Sequence, residues 1–355
     1  MKKNTKIFTI VTTLLAMLVI AGCSNNKGAS KQLTVSTFGL ATKQMTRDVF
    51  TPFGKDNNLT VKSQFGDSSS RFTQISHNPN SGVDVIELAQ NNAVAGNNKN
   101  TFKKLDFSKL KNFKYLSKDQ QKLAKETNSV PYTVNSIGII YNPKKVGKIT
   151  SWDQLWDKKL ANKIAIPDIA TTFGPAMVYI ANEHYQNTQV TSSFVDNGKV
   201  DENQAFNQLK ALKPNVVKTY SKSSDLANMF KSDEIDVAVV GDFAVGMIKN
   251  AVPDVDYVVP ESGTYANYDT ASILKNSKNT DAAYKYIDYR IGKASQAKVA
   301  EKNSLNNAPT NSSVTLKDPQ YMTYGKVAKR AKMIDFNYVN KQLPSWIKKW
   351  NQTMN

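Results

Sequence analysis

Two series of short β-branched runs, each followed by a helix-length stretch, fix the fold class of this chain before any other feature does. In the first series, Leu33-Thr34-Val35-Ser36-Thr37-Phe38 alternates as a half-buried strand does, and Lys43 to Phe53 reads as a helix. Asn58 to Ser63 and Val83 to Leu88 are the next strands, with a serine-capped helix start at Ser68-Ser69-Ser70-Arg71-Phe72 between them. Strand–helix–strand repetition at this spacing makes parallel βαβ units, so the chain is α/β.

The second series begins after Val130-Pro131-Tyr132. Ser136 to Tyr141 is a strand, and Ser151-Trp152-Asp153-Gln154-Leu155-Trp156 opens a short helix whose tryptophans anchor it to the sheet. Strand Lys163 to Pro167, helix Phe173 to His184, helix Asn203 to Leu212, strand Val216 to Tyr220 and helix Ser223 to Ser232 follow. Ile235 to Val240 is almost continuously apolar, as a central buried strand is, and ends in a Gly241-Asp242 turn. Asp256 to Pro260 leads back to the first unit. Thr280 to Ile291 and Lys293 to Asn303 are helices, and the tail after Pro319 reads as mostly helical with a break at Pro344.

Two units with chain crossings near 131–136 and 258–262 enclose a cleft. In open α/β sheets, ligands bind beyond the carboxyl ends of the strands. The expected division is lobe 1 at 33–131 and 260–306, and lobe 2 at 132–259 and 307–355.

The start of the chain supplies an address. Lys2, Lys3 and Lys6 precede the apolar stretch Ile7 to Ile20, which is shorter than the roughly 20 residues of a membrane span. Ile20-Ala21-Gly22-Cys23 resembles a bacterial lipobox, in which the cysteine thiol takes a lipid. Residues 1–22 are thus expected to be a signal peptide, Cys23 the lipidation site and 23–32 a polar tether. Cys23 is the single cysteine, so no intramolecular disulfide forms. The mature chain of about 330 residues suits two lobes rather than one small core.

A formal net charge of +18 suggests nucleic acid at first sight. The lysines are spread along the whole chain, however, and no basic block is interleaved with aromatics. An exported protein with a solvated basic surface near anionic lipids and wall polymers is the better reading, with no nucleic-acid partner.

The catalytic inventory is thin. His77 and His184 lie on segments with no matching acid or nucleophile motif and read as surface residues. No His/Cys cluster offers a metal site, and no Gly-rich loop resembles a phosphate or dinucleotide fingerprint, so neither enzyme nor cofactor is expected. Phe38, Tyr132, Tyr265 and Tyr268 fall at strand ends or crossings, where they either stack on a solute or pack in the lobes. Thr171-Thr172-Phe173-Gly174 precedes a helix, and its amides and hydroxyls either hold an anionic group or form an ordinary cap.

Several stretches resemble the extracellular solute-binding proteins of ABC importers, in particular the spermidine/putrescine-binding group and its iron-binding relatives. They are Phe50-Thr51-Pro52-Phe53-Gly54-Lys55 with Leu59-Thr60-Val61; Val130-Pro131-Tyr132 through Gly138 to Asn142; Thr150 to Asp157; Asn162 to Pro167; Asp236 to Asp242; and Asn306-Asn307-Ala308-Pro309-Thr310. The resemblance implies a two-lobe type II periplasmic-binding-protein fold whose lobes close over a solute by hinge motion. It also implies a monomer anchored on the extracellular face of a Gram-positive cell membrane, with a permease and an ATPase as partners.

In polyamine binders, acids hold ammonium groups and aromatics sandwich the methylene chain. Asp269 in Tyr268-Asp269-Thr270-Ala271 matches one such acid, while Asn267 stands where a tryptophan is usual. The acidic stretch of the second lobe aligns with Pro167 to Thr172, where Asp168 is the acid. The tryptophan after the central strand aligns near Gly241, with Asp242 beside it, and the serine–tyrosine platform becomes Leu88-Ala89-Gln90-Asn91-Asn92. Candidate ligand residues are therefore Phe38, Asn92, Tyr132, Asn135, Ser136, Asp168, Thr171, Thr172, Asp242, Tyr265, Asn267 and Asp269. A polyamine is the favoured solute, with Asp269 and Asp242 at its two ends. The alternatives are a carboxylate, a phosphonate or ferric ion, and an adhesin or sensor on the same scaffold.

Overall fold

The computed structural model of the protein describes residues 31–188 and 199–354. The predicted signal peptide, Cys23 and all but the last two residues of the tether lie outside them. β1 (Lys31–Phe38) is flanked in parallel by β2 (Leu59–Gly66) and β3 (Val85–Ala89). β4 (Val130–Tyr141) and β9 (Thr264–Ile273) are the long members. β9 pairs antiparallel with β3 and with the first half of β4, from Val130↔Ala271 to Ser136↔Ala266. The second half of β4 pairs antiparallel with β7 (Val237–Gly241) and β8 (Asp256–Val258). β5 (Ile164–Pro167) continues in parallel from β7, and β6 (Val216–Tyr220) from β5, giving the order β2-β1-β3-β9-β4-β7-β5-β6.

The two long strands belong to two cores. Val130 and Tyr132 of β4, with Ala271 and Ile273 of β9, pack with Leu33, Val35, Phe53 and Tyr286 in the first. Ile137, Ile139 and Tyr141 of β4, with Tyr265 of β9, pack with Ile164, Val239, Met177 and Trp346 in the second. At about 3.3 Å per residue, β4 is some 40 Å long, which is what lets one strand serve both. Its pleat is interrupted by a bulge between Pro131 and Thr133, and a bulge re-aims the side chains that follow it.

The segment after residue 300 reinforces this junction. β10 (Ala308–Pro309) pairs with β4 at Val134 and Thr133, and β11 (Ala331–Met333) pairs with β9 at Thr264 to Ala266. The expected Pro344 break is not there: one helix runs Phe336–Met354 with Pro344 inside it. Proline within a helix costs about 3 kcal/mol. Trp346 and Trp350 in the same helix are both 0% exposed, and burial of their rings in the second core works against that cost. The residues between Pro319 and this helix are largely irregular rather than helical.

Candidate functional site

β4 runs parallel to β1, β2 and β3 and antiparallel to β7, so the carboxyl ends of the two sets of parallel strands point toward each other. The middle of β4 and β9 lies between them. Asp269 sits on β9 opposite Ala89 of β3 and Thr133 of β4. It is part-exposed, and Asn135 Nδ2 donates to its Oδ2 at 2.8 Å. Burial of the carboxyl pushes it up to about 7; the bond from Asn135 opposes this, and the charges of Glu87 and Asp242 add to it.

Asp242 opens the helix Asp242–Ala251 at the end of β7 and is 3% exposed. Thr323 Oγ1 donates to its Oδ2 at 2.6 Å and lies 2.7 Å from Ser136 Oγ. Asp242 Oδ1 has no partner, and burial pushes this carboxyl also up to about 7. Among the described residues no lysine, arginine or histidine forms an ion pair with either aspartate. In a chain with 47 lysines and arginines, two acids at the junction stand without a basic partner.

Several other predicted residues have structural commitments. Tyr132 donates its hydroxyl to Glu87 Oε2 at 3.1 Å, and the same carboxylate accepts from Thr37 at 2.6 Å, Tyr286 at 2.8 Å and Arg290 Nε at 2.7 Å. Burial opposes ionisation of Glu87, yet Arg290 and these hydroxyls hold it below the ordinary carboxylate range. Tyr265 is buried in the second core and donates to Glu183 Oε1 at 2.5 Å. Asn92 donates to Ser68 and Ser69 and so braces the start of the helix Ser68–His77. Thr171 Oγ1 donates to Asp168 O at 2.7 Å and accepts from Gly174 N at 3.1 Å, while Asp168 Oδ1 accepts from Ala170 N at 3.0 Å. Thr172 is part-exposed in the same loop. Phe38, at the end of β1, is part-buried with the Arg71 guanidinium 5.1 Å from its ring centre. Asn267, opposite Asn135, is 0% exposed.

Other residues of this region were missed in the sequence. Phe243 is 37% exposed just beyond β7 and stacks on Phe173 at 6.4 Å. Its ring lies against Gly241, where a Cβ would stand 2.3 Å from it, so a larger residue there would displace the ring. An aromatic two residues past a central strand was the available signal. Glu87 was also visible, as an acid inside the apolar run of β3. Thr323 comes from an irregular segment and had no signal. His184 is not a simple surface residue: its Nδ1 lies 2.6 Å from Asp153 Oδ1 and its ring stacks on Trp156 at 4.0 Å. Among the described residues no cluster of three or more His, Cys, Asp or Glu could hold a metal ion.

A family model for bacterial extracellular solute-binding proteins matches residues 48–329. The chain belongs to that family. Relatives of this solute-binding protein include the spermidine/putrescine-binding periplasmic protein 1 of Haemophilus influenzae, 30% identical over 230 residues. That match covers 63% of this chain and 59% of the Haemophilus protein, less than two thirds of its length. A putrescine-binding periplasmic protein of Pseudomonas aeruginosa is 24% identical over 81% of this chain and 82% of its own. A crystal structure described as an ABC transporter from Clostridium perfringens is 44% identical, with a TM-score of 0.75, and covers 91% of this chain and 100% of its own. The α/β architecture is the type II periplasmic-binding-protein fold.

Proposed function

We propose that the protein captures a small solute bearing at least one ammonium group outside the cell and hands it to the permease and ATPase of an ABC importer. Polyamines are the class named for its relatives. The lobes are 33–131 with 260–306 and 132–259 with 307–355, and β4 and β9 are the hinge on which they close. Lipid on Cys23 holds the monomer at the membrane.

The observation that carries the amine is the absence of a basic partner for Asp269 and Asp242. An ammonium group brought beside Asp269 supplies the missing charge in a site already shielded from water, where charge-assisted bonds are strong. Phe38 and Phe243 offer apolar rings for a methylene chain. The anion alternative is weaker, because Thr171 and the amides of Ala170 and Gly174 are already bonded within their own loop. The ferric alternative is weaker too, because the hydroxyls of Tyr132 and Tyr265 are committed to Glu87 and Glu183.

The test is calorimetric titration of the soluble mature protein with putrescine and spermidine, alongside Asp269→Asn. Loss of one partner of a desolvated charge pair costs about 2–5 kcal/mol, or roughly thirtyfold to several thousandfold in affinity. Wild-type protein that binds neither of these, nor a substituted amine such as 4-aminobutanamide, below millimolar concentration would overturn the amine reading.

A further inference from the structure

Asn267 is the one side chain of the hinge that nothing in the fold accounts for. It is 0% exposed, and neither its Oδ1 nor its Nδ2 has a hydrogen-bond partner. A buried carboxamide unpartnered at both ends disfavours the folded state, and an apolar side chain of the same size would serve packing better. Its neighbours are the proposed ligand residues. Asn267 pairs in register with Asn135, which donates to Asp269, and alternation along β9 puts Asn267 and Asp269 on the same face. Gln90, just beyond β3, accepts from the Tyr268 amide at 3.1 Å, and Asn91 Oδ1 is buried without a partner.

We propose that Asn267 reads a donor–acceptor group on the solute, a carboxamide above all, carried beside the ammonium group that Asp269 holds. The solute is then an amine with a carboxamide on its chain rather than a bare diamine or polyamine. A carboxamide presents one acceptor and two donors, and two of them pair through parallel N–H···O bonds, so the solute would satisfy both ends of Asn267 at once. The side chain is closed to water in this arrangement of the lobes. Hinge opening admits the solute, and closure buries the amide with its partner in place. The inference rests on the amine reading and narrows it.

Three amines of matched chain length separate the outcomes: 4-aminobutanamide, putrescine and butylamine, titrated against wild type and Asn267→Leu. In wild type, 4-aminobutanamide binds about tenfold tighter than the other two, because a site built to pair a polar group rejects analogues that lack it. In Asn267→Leu that preference disappears, and the ligand-free protein melts about 2 °C higher, since the unpartnered amide is gone. Asn267→Ala serves the same comparison of preferences if leucine prevents folding. Binding of the amines without preference for the carboxamide overturns this inference and leaves the amine reading standing. So does a preference that survives in Asn267→Leu. Binding of none of the three overturns both.

Discussion

Acidification is the sharpest probe of the hinge carboxylates. Burial holds Asp269 at about 7 in the ligand-free protein, against 3.8 for an ordinary aspartate. An ammonium group bound beside it favours the ionised form and returns it toward the ordinary range. Binding below pH 7 must then expel a proton, and affinity falls as the pH falls. At pH 7 about half the molecules carry the proton, which weakens binding roughly twofold; at pH 6 the penalty is about elevenfold and at pH 5 about a hundredfold. That is about 1.4 kcal/mol per pH unit for one carboxylate. If Asp242 must ionise in the same step, the slope doubles to about a hundredfold per unit, since burial holds it at about 7 as well. Calorimetry in two buffers of different ionisation enthalpy at pH 6 reads the proton directly, and a series from pH 5.5 to 8.5 reads the slope. Asp269→Asn should bind weakly, with a flatter profile. Affinity that is level across this range, or that rises on acidification, would refute the reasoning even if the amine binds.

Three further outcomes follow, two from the structure and one from the sequence. Because Asp242 and Asp269 each titrate near 7 in the folded chain and near 3.8 when unfolded, each costs the ligand-free protein stability as the pH rises between those values, by up to about 4 kcal/mol; urea unfolding at pH 5 and pH 8 samples about 3 kcal/mol of each, and Asp242→Asn should remove about half of the difference. Glu87→Gln leaves Arg290, 2% exposed, without its charge partner and should cost about 3–5 kcal/mol, while the added change Arg290→Met should restore much of it; chemical denaturation of the single and double variants decides this, and equal stability of the two would contradict it. Cys23→Ser should lose incorporation of a labelled fatty acid, and retained label would remove the lipid anchor.

What could be read in the sequence divides along physical lines. β6 is bounded by the residues expected, because Pro214 and Ser221 punctuate it sharply, and β1, β5 and β7 fall within two, because their apolar runs are buried. The two hinge strands were not legible. β4 was expected to begin at Ser136 because Pro131, Thr133 and Asn135 break the apolar pattern, and β9, Thr-Tyr-Ala-Asn-Tyr-Asp-Thr-Ala-Ser-Ile, was not read as a strand: the crossing was placed just before it, at 258–262. Both carry small and polar residues at the positions that lie between the cores, where a strand has the site to serve rather than a core to fill. The same reasoning separates the candidate residues. Asp269 and Asn267 were found through the family resemblance and Asn135 through its place in a crossing, and the structure brings them together. Tyr132 and Tyr265 were chosen for their type, but an aromatic at a strand end does not disclose whether its hydroxyl turns toward a cleft or toward a buried Glu87 or Glu183.

The chain returns to its own hinge after both lobes are built. β10 lies along one border of the β4–β9 pair and β11 along the other. Mechanically, a thin ribbon flexes out of its plane, twists and bends edgewise, and widening it on both sides stiffens the edgewise bend most steeply. If the lobes close about this ribbon as proposed, edgewise motion is the mode removed, and opening and closing keep to the modes that remain. The added borders also leave neither margin of the ribbon with a run of unsatisfied amides when the lobes part, which is the moment at which a foreign strand would otherwise find a template.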